Sequence, residues 1–79
     1  MIAVRDSSGR LHVGRDARSI VRSLREHSLL PGYTTGQFMY LVAGRTREYT
    51  GKQVRTSSAR EFIEDLLAGG FLVEENIEP

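Results

Sequence analysis

The side chains of this chain most able to do chemistry are two histidines and a row of arginines. His12 and His27 are its only histidines. A histidine acts as a general base when a nucleophile and an orienting partner stand within hydrogen-bond reach. The sequence spaces no such pair near either residue, and both read as surface positions. His27 falls close to a helix C-terminus, where an imidazolium interacts well with the helix dipole. The hydroxyls of Thr34, Thr35, Ser57 and Ser58 precede apolar periodic stretches and are accounted for as helix caps. The glycines form neither a phosphate-binding loop nor a dinucleotide fingerprint. There is no cysteine, which excludes disulfides and thiolate metal sites. No catalytic residue, metal site or cofactor is expected.

The arginines carry more information. Ten of the eleven cations are Arg, with Lys52 the exception, and all lie in residues 1–60. Only Asp6, Asp16, Glu26 and Glu48 oppose them there, a surplus of seven positive charges. Residues 61–79 carry six acids and no base, so the net charge of +1 conceals two halves of opposite sign. Arg15, Arg18, Arg22 and Arg25 can follow a phosphate backbone, joined by Arg45, Arg47, Lys52 and Arg55. Halves of opposite sign also suit self-association as a homodimer, or docking to a protein partner. Glu64, Asp65, Glu74 and Glu75 then supply the acidic side. Exposed ion pairs are worth only ~0–1 kcal/mol each, so apolar contact must add to them. Met39, Tyr40 and the "FLV" stretch are the residues for that contact. The first reading is a non-enzymatic protein-interaction or regulatory module using segregated basic and acidic faces. The alternative is a nucleic-acid-binding domain using the arginine stripe of its first helix.

These side chains need elements to hold them. "IAVRDSSGRLHVG" predicts a β-hairpin turning through "DSSG". Its alternation places Ile2, Val4, Leu11 and Val13 on one face and leaves Arg5, Arg10 and His12 on or near the other. A first helix is expected from an Asp16 cap, with Ala17, Ile20, Val21 and Leu24 inward and the arginines along one flank. Ser19, Ser23 and Glu26 should face outward, and Pro31 should end the helix at Leu30.

The six apolar residues Phe38 to Ala43 of "YTTGQFMYLVAGRTRE" suit a buried strand, but Thr34 and Gln37 have the spacing of a capping box, which predicts a second helix there instead. Thr50-Gly51 turns the chain, and "KQVRT" predicts a short strand with Val54 inward. Ser58 and Glu61 form another capping-box pattern before Ala59, Phe62, Ile63, Leu66 and Leu67, the fullest helical spacing in the chain. Gly69 or Gly70 should supply a left-handed cap with Phe71 packed back on the helix. "FLVEE" predicts a last strand.

The expected fold class is therefore α+β: an N-terminal β-hairpin, three helices and one or two further short strands around a single small core. Seventy-nine residues make one domain, 1–79, with 75–79 frayed. The start lacks a signal-peptide pattern, and no apolar run approaches the ~20 residues of a membrane span. The expectation is a cytoplasmic chain without membrane contact.

The third helix followed by "GGFLVEEN" is similar in outline to the last helix and first wing strand of a winged-helix domain. Its Glu61, Glu64 and Asp65 would repel phosphates in that role, so the first helix is the one expected to meet nucleic acid. As a whole the chain resembles short uncharacterised bacterial proteins with "RDSSGR", "ARSIVRSLREHS" and "AREFIEDLLAGGFLVEE" segments. The resemblance implies the α+β layout and carries over no functional residue.

Overall fold

The computed structural model of the chain describes residues 1–29 and 32–75. Its elements run β1 (Ile2–Arg5), β2 (Leu11–Gly14), α1 (Ala17–Glu26), α2 (Thr35–Thr50), α3 (Ala59–Ala68) and β3 (Val73–Glu74). The sheet has the order β2-β1-β3 with both pairings antiparallel. This is the expected α+β layout, with one further short strand after the hairpin.

The hairpin turn decides which residues enter the core. The Gly9 amide donates to the Asp6 carbonyl and the Asp6 amide to the Arg10 carbonyl, each at 3.0 Å. Gly9 has φ +89°, a backbone state that a side chain disfavours. The result is a three-residue loop ending in a left-handed glycine, which sets Val4 opposite His12 and Arg5 opposite Leu11. Directly opposed residues share a face of the sheet. Val4 and His12 are therefore buried together at 0% and 1% exposure, while Leu11 and Val13 are each 43% exposed on the outer face. The expected single apolar face is corrected for β2. A loop one residue shorter would restore it, because a one-residue slip flips every side chain of a strand.

Helix α1 starts at Asp16, whose carboxylate accepts from the Ser19 amide, and it buries Ile20 and Val21. Ser19 and Ser23, expected to face outward, are half-buried towards β2. A Cβ at Gly14 would lie 2.6 Å from the Ser19 Cβ, so only glycine lets strand and helix close this far. The helix ends at Glu26 with His27 as its cap, earlier than the end expected at Leu30, and Leu30 and Pro31 themselves lie outside the described residues.

Helix α2 has the full capping box: Thr34 Oγ1 accepts from the Gln37 amide, and Gln37 Oε1 accepts from the Thr34 amide. Of its 16 residues only Phe38 and Met39 are buried. Met39, expected at a partner surface, belongs to the core. Residues 52–56 form no strand. The Arg55 amide donates to Asp65 Oδ2 at 2.8 Å, and this carboxylate takes the place a neighbouring strand would have filled. Val54 does point inward as expected.

Helix α3 buries Phe62, Ile63 and Leu66, with Phe62 edge-on to Phe38 at 6.5 Å between ring centroids. Ser58 Oγ accepts from the Glu61 amide, but the capping box is incomplete: the Glu61 carboxylate accepts from the Ser57 and Ser58 hydroxyls instead of the Ser58 amide. The helix ends in a Schellman motif, the Gly70 amide donating to Leu67 O and the Phe71 amide to Leu66 O. The Phe71 ring lies over Gly69, where a Cβ would meet it at 2.5 Å. Fraying was expected over 75–79. Glu75 is held by its amide, which donates to Ala3 O at 2.9 Å, and the other four residues lie outside the described part. No described helix is long and apolar enough to cross a membrane.

Leu66 is 4% exposed at the centre of this core. Leu66→Ala should cost about 2–5 kcal/mol by leaving a cavity. Urea denaturation should show it as a lower midpoint with the slope unchanged.

Candidate functional site

Three polar regions converge in the fold. The first lies around His12. Its Nε2 faces Asp6 Oδ2 at 2.7 Å and its Nδ1 faces Ser23 Oγ at 2.8 Å. The Asp6 carboxylate also accepts from the Ser8 amide and hydroxyl and from the Arg10 amide. Burial alone would push the Asp6 carboxyl up. The hydrogen bonds from His12, Ser8 and Arg10 outweigh it and hold the group well below the usual carboxylate range. An ionised Asp6 can only accept, so His12 Nε2 carries the proton and the Ser23 hydroxyl donates to Nδ1 in the neutral ring. His27 stands edge-on to His12 at 5.8 Å, and its Nδ1–H donates to the Ser23 carbonyl.

No third partner near either histidine is legible in the sequence, and the fold supplies one. Asp6, His12 and Ser23 form a carboxylate–imidazole–hydroxyl chain in the order found in acyl-transfer triads. The rest of that machinery does not accompany it. Ser23 lies mid-helix, where the surrounding amides are committed to the α-helical ladder and cannot serve as an oxyanion hole. The imidazole is closed to solvent. What the chain accomplishes is to satisfy a buried ring at both nitrogens and to tie the hairpin to α1.

The second region collects the acids. Arg55 bonds Asp65 through Nε and Nη2 at 3.0 and 2.9 Å, bonds Glu61 through Nη1, and lies 3.6 Å from Glu64. Glu64 also accepts from Arg60. Asp65 is held below its ordinary pKa by the Arg55 side chain and amide, and Glu61 by the Ser57 hydroxyl and the nearby Arg55 charge. Arg5 pairs with Glu75 at 2.7 Å. Lys52 Nζ donates to Gly69 O at the end of α3 and lies over the Phe71 ring. Glu74 is exposed on β3.

The third region holds the arginines left over. Arg25 turns inward and donates to the Tyr33 carbonyl. Asp16 spends its carboxylate on Ser19 and is influenced by Arg15 and Arg18 only through space. Arg15, Arg18, Arg22, Arg45 and Arg47 are exposed and form no ion pair among the described residues. Arg18 and Arg22 border a hollow of about 500 Å³ beside Thr35, Gly36, Ser57 and Ser58, onto which the first turns of α2 and α3 open. Arg47 borders a second hollow of about 220 Å³ with Tyr40, Gly44 and Gln53. Neither lining includes a carboxylate. An apolar cavity of about 250 Å³ lies between Leu24, Phe38, Val42 and Leu66, with Asp6 and His27 at its rim.

Comparison with protein-family models, with curated proteins and with solved structures finds no match to this chain. The site therefore rests on its own geometry. Of the expected basic residues, the fold gathers Arg18 and Arg22 at one hollow and Arg47 at another, and it withdraws Arg25, Lys52 and Arg55 to internal partners.

The depressed Asp6 carboxyl gives a pH prediction. A group whose folded pKa is lowered stabilises the fold fully above its unfolded value, about 4, and the contribution fades as pH falls through the lower folded value. Asp6→Asn retains an acceptor for the turn but removes the anion that accepts from His12. It should cost about 1–3 kcal/mol at neutral pH, the penalty for an unpaired buried polar group. It should also flatten the acid limb of stability against pH, measured by thermal melts from pH 2 to pH 7.

Proposed function

We propose that this chain is a non-enzymatic module that binds nucleic acid through the exposed arginines of α1. One observation carries the reading. The carboxylates Glu61, Glu64, Asp65 and Glu75 are engaged by Arg55, Arg60 and Arg5 within the fold, whereas Arg15, Arg18 and Arg22 meet no carboxylate partner among the described residues. Charge that is segregated along the sequence is thus partly cancelled in space, and among the described residues the exposed arginines without an ion pair outnumber the exposed acids Glu26, Glu48 and Glu74. A surface of unpaired arginines attracts phosphate by charge and by bidentate hydrogen bonding. The acids of α3 pair with Arg55 and Arg60 and not with the α1 arginines. A cytoplasmic setting fits this partner.

A protein partner or a second copy is supported by a different observation. Leu11, Val13 and Val73 are exposed on the outer face of the sheet, and the helix that packs on β2 and β1 covers the other side. If that face pairs copies of the chain, Val13→Asp should convert a concentration-dependent sedimentation profile into that of a monomer.

For the nucleic-acid reading, fluorescence anisotropy with labelled duplex and single-stranded oligonucleotides at graded salt is the test. Each phosphate neutralised contributes about 0.9 to the slope of log affinity against log salt for duplex, and about 0.7 for a single strand. Arg18→Ala/Arg22→Ala should therefore lower the slope by about 1.4–1.8 and weaken binding to all sequences alike, while the fold is retained. Absence of binding at low salt and high protein concentration overturns the reading.

A further inference from the structure

The two hollows both border α2 and the chain between residues 53 and 59. Gly36, Tyr40, Ala43, Gly44 and Arg47 fall within one arc of about 100° on α2, by the helical period. The chain from Gln53 to Ala59 runs back along that face as the opposite wall, with Thr56 opposite the Tyr40 hollow and Ser57 and Ser58 opposite the Arg18–Arg22 hollow. The groove so formed spans about 16 Å from Gly36 to Arg47 at 1.5 Å per residue. It has Arg18 and Arg22 at one end, Arg47 at the other, and Tyr40 between them.

Tyr40 is 73% exposed, makes no ring contact among the described residues, and contributes nothing to the core. Glycine stands one turn before it and one turn after it, so no neighbouring side chain on this face covers the ring. Neither glycine is needed by the fold. Gly36 and Gly44 have ordinary helical φ, and a Cβ added at either would meet open space. Gly44, in the helix interior, nevertheless weakens α2 by about 1 kcal/mol relative to Ala. The arrangement keeps an aromatic ring accessible inside a groove with cations at both ends, while Glu48 lies with Arg45 in a further hollow on the other flank of Tyr40 and Arg47.

We infer that this groove is a binding site for single-stranded nucleic acid, with a base stacked on Tyr40 and the flanking phosphates held by Arg18 and Arg22 at one end and Arg47 at the other. A phosphate alone needs no aromatic ring. A duplex keeps the faces of its bases stacked on one another, so only an unpaired strand can offer one to Tyr40. Gln53 and Thr56, which also line the Tyr40 hollow, bring hydrogen-bonding groups towards the base edges without selecting one base strongly. This inference rests on the nucleic-acid reading above and adds to it the strand form and the residue that distinguishes it.

The test measures anisotropy of a short labelled oligothymidylate, an oligouridylate and a duplex of equal length at low salt. Tyr40→Ala should weaken single-strand binding about tenfold, as expected for loss of one stacked base, and leave duplex binding unchanged. Tyr40→Phe, which keeps the stacking ring, should bind like the parent. So should Tyr49→Ala, which removes an equally exposed tyrosine from the opposite side of α2. Gly44→Leu should melt no lower than the parent yet bind the single strand more weakly, because its side chain fills the groove. Binding of both strand forms that is lost in Arg18→Ala/Arg22→Ala but indifferent to Tyr40→Ala and Gly44→Leu overturns the groove and leaves the α1 reading standing. No binding of either form overturns both.

Discussion

Four donors converge on the Asp6 carboxylate: the Ser8 amide and hydroxyl, the Arg10 amide and the His12 ring. Three of them close the hairpin turn and the fourth reaches into the core. The turn fixes the register, the register turns His12 inward beside Val4, and His12 in turn engages Ser23 on α1. The approach of α1 to the sheet, permitted by Gly14, follows from that contact. With the serine side of α1 held against β2, Arg18 and Arg22 are left to face solvent. A buried imidazole with both nitrogens satisfied is a demanding group to bury, since removing one partner leaves a polar atom unpaired in the core. That demand makes the hairpin and α1 a single unit.

Electrostatics are arranged by a second long-range contact. The segment after α2 returns across the first turns of α3 and delivers Arg55 to Glu61, Glu64 and Asp65. Exposed pairs of this kind stabilise a fold little. Their consequence here is one of surface character. They tie three of the six acids of the C-terminal half to one cation, and they lay residues 53–59 beside α2 as the second wall of a groove. The same packing leaves Tyr40 and Arg47 on the open side of a helix that buries only Phe38 and Met39.

The helices of this protein were legible in its sequence because their causes are local. Asp16, Thr34 and Ser58 cap within three residues of themselves, apolar side chains recur at i, i+3 and i+4, and Gly70 ends α3 where a left-handed residue is required. The inward-facing set of α3 followed from spacing alone, and so did the existence of the hairpin. Tertiary structure decided the rest. The face shown by β2 turned on a single residue of loop length, which composition does not reveal and on which the fate of His12 and Leu11 depends. The strand expected over 52–56 gave way to a side chain ten residues further on, when Asp65 took the Arg55 amide. Which arginines stay open was equally beyond local pattern, because an ion pair is chosen by where the chain returns in space. Helical order is written in bonds between near neighbours, whereas register, burial of polar groups and charge pairing depend on residues that only folding brings together.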